Sequence, residues 1–130
     1  MNNKKLMTKV IELDTQKLNS REQSMRVMVQ ISIIRKAFGV KNGETDAKVL
    51  DFERERVLSD QQVEKEFNDY VGFWEWAIKV NNPDKAKSFE NQVYYFIDGV
   101  RFFDEELAQR FTESFTSALK TACYSLHTTN

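Results

Sequence analysis

The stretch DEELAQRFTESFTSALKTACYSLH, residues 104–127, decides the fold class. At about 100° per residue, Leu107, Ala108, Phe111, Phe115, Ala118, Leu119, Ala122 and Leu126 fall within an arc of roughly 120°, as an amphipathic helix with one face on a core requires. The start of this helix is legible too. Asp104 stands where a side chain caps the first free amides, and Glu105 and Glu106 follow where the positive end of the helix dipole favours acids.

The same logic extends upstream. Asn82-Pro83-Asp84 opens another helix, because Pro83 at the first helical position lacks only an amide hydrogen that would have no partner there. Ala86, Phe89, Val93, Phe96 and Val100 then repeat at threes and fours, and Asp98-Gly99 reads as a weakening or termination point. Before it, Val63, Phe67, Tyr70, Val71, Trp74 and Ile78 form a third stripe, preceded by the capping-box pair Ser59 and Gln62. Val49 and Phe52 imply a helix from near Asp46, with a break near Leu58 separating it from the next. Val27, Ile31, Ile34 and Phe38 make a tight stripe, and Met25, Val29, Ile33 and Ala37 a second one on the same helix. Two apolar sides mark a helix that is central or shared between subunits. Asn19 with Glu22 is placed to cap its start and Gly39 to end it in a left-handed conformation. Leu6, Val10 and Leu13, with Met7 and Ile11 beside them, indicate a shorter first helix, and 40–45, with Asn42-Gly43, is the main internal loop.

Four Gly and one Pro in 130 residues fit long helices with short connections. A chain of this size buries roughly 65–70% of the surface its unfolded form exposes, enough for one core. The expectation is therefore all-α: a compact bundle of five or six amphipathic helices in a single domain over 1–130. With 41% hydrophobic and 30% charged residues the composition is globular. Cys123 is the only cysteine, so no internal disulfide forms. No apolar block follows Lys4 and Lys5 as a secretory signal needs. The longest apolar run, 93–97, is far short of the ~20 residues that cross a membrane. These features predict a soluble, cytoplasmic protein.

Charge is divided along the chain. Residues 1–41 carry nine Lys/Arg against three acids, and 42–130 carry ten against seventeen, so the net charge of −1 joins a basic N-terminal third to an acidic, aromatic-rich remainder. Such asymmetry points to a charged partner, or to contact between the two parts.

The aromatic surplus gives the sharper expectation. After Ser59 the core stripe already uses Phe67, Tyr70 and Trp74, yet Phe73, Trp76 and Val80 line up as another stripe, and Tyr94 and Tyr95 are extra on the next helix. Large rings with polar tips concentrate in interface hot spots. Phe73, Trp76, Tyr94 and Tyr95 are thus the predicted protein-binding residues, for an external partner or for self-association, with the acidic surface steering a basic partner. The bland reading places every ring in the core.

The alternative is a DNA- or RNA-associated regulator contacting phosphate through Arg21, Arg26, Arg35 and Lys36. The stretch 33–57 has the outline of a helix-turn-helix, but Arg35 stands where a small residue belongs, the linker is too long, and Asp46, Asp51, Glu53 and Glu55 oppose phosphate. Enzyme chemistry has less support. Cys123 and His127 share a helical spacing, but they read as a packed small residue and an exposed tail. There is no Glu-x-x-His pair, zinc-ligand set, calcium loop or Gly-rich phosphate loop. No catalytic residue, metal, cofactor or small-molecule substrate is expected.

Overall fold

Among the described residues, helix-forming runs with capped ends assemble into a helical bundle. The computed structural model describes residues 21–41 and 55–128, with side chains through 122. Within them lie α1 (Arg21–Ala37), α2 (Asp60–Lys79), α3 (Pro83–Arg101) and α4 (Glu105–Thr128). Every element among the described residues is a helix, and there are four where the sequence pattern implied five or six. The two others, around Leu6–Leu13 and from near Asp46, fall outside the described residues, as does the Asn19 cap.

The helix ends follow local chemistry. Ser59 and Gln62 form a reciprocal capping box on α2. Asn82 Oδ1 accepts from the Lys85 amide at 3.1 Å, and Asp104 Oδ1 accepts from the Leu107 amide at 3.0 Å. Gly39 ends α1 at φ 66°. Its amide donates to Lys36 O and the Val40 amide to Arg35 O, which closes the helix as a Schellman motif. Asn81 makes the α2–α3 turn at φ 55°, a left-handed conformation that Asn tolerates better than most residues.

α3 packs extensively on α1, α2 and α4 and is the central helix. The main core gathers Phe67, Trp74, Val93, Phe96, Phe111 and Phe115. Phe67 stacks on Phe111 with centroids 4.3 Å apart, and the Trp74 ring meets Phe115 edge-on at 5.1 Å. A second cluster joins Ile34, Ala37 and Phe38 to Leu58, Phe102 and Phe103.

Gly99 stands two residues before the end of α3 at Arg101, and it is buried where α3 crosses α1. A Cβ there would stand 2.5 Å from Ile33 Cγ2 and 3.0 Å from Gln30 O. The missing side chain is what lets the two helices approach.

Residues 55–59, on either side of Leu58, are not helical, and the Val57 and Leu58 amides both donate to Ala37 O; whether they separate α2 from an earlier helix lies outside the described residues. Arg56 fixes this segment with Nη1 on Asp104 Oδ2 at 3.0 Å, Nη2 on Asp60 Oδ1 at 2.8 Å, and its guanidinium 5.2 Å from the Phe103 ring centre. Asp104 thus caps α4 with one oxygen and holds Arg56 with the other.

Candidate protein-binding surface

On α2 the residues that face the core are Val63, Phe67, Trp74 and Ala77. Phe73, Trp76 and Val80 lie on a different arc of the same helix, about 100–160° around from Trp74. No described element covers that arc: Phe73 is 55% exposed, Trp76 48% and Val80 49%. Phe89 of α3 leans onto its edge and stacks on Phe73 with centroids 5.6 Å apart and planes 25° from parallel. The result is an open groove of about 730 Å³ lined by Asn68, Asp69, Gly72, Phe73, Trp76 and Phe89.

Two details shape the groove. Gly72 is exposed, and apart from its chain neighbours and its own helix backbone no heavy atom lies within 4 Å of where its Cβ would be, so the helix backbone itself is open to an approaching group. Lys85 sits with Nζ 5.5 Å from the Trp76 ring centre, a cation at an exposed indole. The groove therefore offers apolar ring faces, one carboxylate at Asp69, and bare backbone.

The four aromatic residues singled out from sequence do not form one patch. Phe73 and Trp76 share the groove. Tyr94 is 37% exposed and meets the Phe115 ring edge-on at 5.4 Å, toward α4. Tyr95 is partly buried against α1, its hydroxyl donating to Glu22 Oε1 at 3.2 Å. Neighbours in sequence point about 100° apart on a helix, which is why adjacent tyrosines face different partners. Burial raises both phenols above 10.0, helped at Tyr94 by the charge of Glu90 and at Tyr95 by the charge and hydrogen bond of Glu22. Phe89, Gly72, Asn68 and Asp69 complete the groove and were not singled out. The available signal was the position of Phe89 near the edge of the α3 apolar arc, within reach of α2.

The basic residues of α1 do not form a row. Arg21 is exposed beside Asp84 and Ser88 of α3, Arg26 is half-buried, Arg35 is partly buried, and Lys36 pairs with Glu66 of α2 at 2.9 Å. At 100° per residue these four spread over about half of the helix circumference, with Arg21, Arg35 and Lys36 within about 100° of one another. Two of the four are partly buried and Lys36 is paired with Glu66, so they do not present four free cations on one face.

Among the described residues no group of three His, Cys, Asp or Glu could hold a metal ion, and no helix is long and apolar enough to cross a membrane. The side chains of Cys123 and His127 lie outside the described set, although α4 runs past both. No protein-family model matches this chain, and no curated protein or solved structure is similar to it.

Proposed function

We propose that the chain is a non-catalytic interaction protein, a cytoplasmic regulator, inhibitor or adaptor, that binds a protein partner through the groove between α2 and α3. The observation that carries this reading is the clustering of exposed rings, Phe73 and Trp76 with Phe89, around an open floor at Gly72. Covering the exposed half of each large ring contributes about 2–3 kcal/mol at ~25 cal/mol per Å², before the cost of association. Two such anchors side by side make a hot spot, whereas isolated exposed apolar residues carry no message. α2 also bears five acids against two lysines, which favours the approach of a basic partner.

The nucleic-acid alternative has less support, because Arg26 and Arg35 are partly buried and Lys36 is engaged with Glu66. The two readings separate by charge reversal and ring removal. Phe73→Ala with Trp76→Ala removes exposed side chains only, so the fold survives and nuclease-resistant capture of the partner falls at least tenfold. Arg26→Glu with Arg35→Glu leaves that capture intact. Nuclease-sensitive capture that disappears in the Arg variant and persists in the ring variant refutes the proposal. Light scattering over a range of concentrations identifies the case in which the partner is a second copy.

A further inference from the structure

Lys65, Asp69, Gly72, Trp76 and Lys79 of α2 are all exposed. At about 100° per residue they fall within ~80° of one another, on the side of α2 opposite its core residues. Their spacing is four, three, four, three, which is the seam of a two-helix coiled coil, and Gly72 leaves the middle of that seam bare. Phe73 and Val80, both exposed, flank the seam on one edge.

We propose that the partner at this surface is a second copy of the chain, packed antiparallel through α2 about a two-fold axis, with each Trp76 seated over the partner's Gly72. The proposal rests on the reading that the exposed rings of α2 bind protein, and it names the protein. Charge and shape choose the arrangement. Parallel helices would set Asp69 on Asp69, Lys79 on Lys79 and Trp76 on Trp76 across the seam. In the antiparallel register that places Trp76 over the partner's Gly72, Asp69 falls opposite the partner's Lys79, and the symmetry makes both contacts twice. Lys85, held at the Trp76 ring, adds positive charge on the side from which the partner's Asp69 approaches. The other acids of α2 do not oppose the pairing: Asp60 and Glu66 are already matched with Arg56 and Lys36, and Glu64 and Glu75 stand about 80–100° from the middle of the seam. α2 has 20 residues and is ~30 Å long, so one helix pair buries less than the ~1,600 Å² of a standard interface. The dimer is therefore weak, and the dilute protein is a monomer with Trp76 in water.

Sedimentation velocity of the full chain over a hundredfold range of concentration tests the proposal. The parent is expected to pass from monomer to dimer. Asp69→Lys and Lys79→Glu each change one exposed residue and each set like charges face to face twice, so each should raise the dimer Kd at least tenfold. An equal mixture of the two variants should recover the parent Kd, because each heterodimer again opposes unlike charges. Gly72→Leu fills the seat of Trp76 and should weaken the dimer to a similar degree, although any side chain there gains helix propensity in the dilute monomer. A parent that stays monomeric throughout, a dimer indifferent to Gly72→Leu, or charge variants that fail to recover on mixing overturns the proposal. A strictly monomeric parent whose capture of a different protein is lost in Phe73→Ala with Trp76→Ala refutes self-association alone and leaves the protein-binding reading standing.

Discussion

Adding one methyl group to each of two helical glycines should move stability in opposite directions. At Gly72 a Cβ meets nothing within 4 Å apart from its chain neighbours and its own helix backbone. Alanine there gains the helix propensity that glycine lacks, about 0.5–1 kcal/mol, or ~2–4 °C in melting temperature for a domain of this size. Gly99→Ala makes the same gain, but its Cβ would stand 2.5 Å from Ile33 Cγ2, 3.0 Å from Gln30 O and 3.1 Å from Gln30 Cα. Ordinary carbon–carbon contact is ~3.5–4.0 Å, so about 1 Å must be found between α1 and α3. Ile33 is 2% exposed and β-branched, and two of the three contacts are with backbone, so neither side chain nor main chain yields easily. Overpacking of this kind costs about 3 kcal/mol, and after the propensity gain the net loss is ~2 kcal/mol, or roughly 6–8 °C. Thermal and denaturant unfolding followed by circular dichroism reads both variants on the same scale. Ile33→Ala removes the atom that clashes, so combining it with Gly99→Ala should cost less than the sum of the two single changes. If Gly99→Ala melts at or above the parent, the close crossing of α1 and α3 is not where the structure puts it.

Two other predictions concern charge. Arg56→Gln should lower stability by about 1–2 kcal/mol through loss of the bonds to Asp60 and Asp104, and Asp104→Ala by about 2–3 kcal/mol because the α4 cap is lost as well. A double-mutant cycle between these two residues should return a coupling of about 1 kcal/mol, and strict additivity would show the bridge to be inert. Burial, together with the charge of Glu66, raises the Tyr70 phenol above 10.0. The neutral phenol is therefore favoured in the fold, so its contribution is complete below 10.0 and is lost as pH climbs through the higher folded midpoint. Tyr70→Phe keeps the ring against Phe96 and should show a shallower loss of denaturant midpoint above pH 10.0 than the parent. An equally steep loss in both proteins would assign the alkaline transition elsewhere.

Local chemistry made the helix ends readable. Ser59 with Gln62, Asn82 with Lys85, and Asp104 with Leu107 are partners three residues apart, so their bonds are properties of short segments. Gly39 is similar, since a left-handed residue after a helix is a local requirement. What pairs distant segments was not readable. Gly99 looks like a weakness within α3 and is a contact with Gln30 and Ile33, more than sixty residues earlier in the chain. The second stripe of α2 was visible as Phe73, Trp76 and Val80, but periodicity does not tell whether a neighbouring helix lies over it. For the same reason Tyr94 and Tyr95 could not be assigned to different sides of α3 before the positions of α1 and α4 were known.

The two tryptophans stand two positions apart on α2, one 4% exposed against Phe115 and the other 48% exposed at the groove. Half a helical turn separates a dry indole from a wet one. The native emission spectrum is therefore composite, with a blue component that iodide cannot reach and a red one that it quenches. Removing Trp76 leaves an optical gauge of the core alone, and removing Trp74 leaves one of the groove alone, so each half of the molecule carries its own built-in dye.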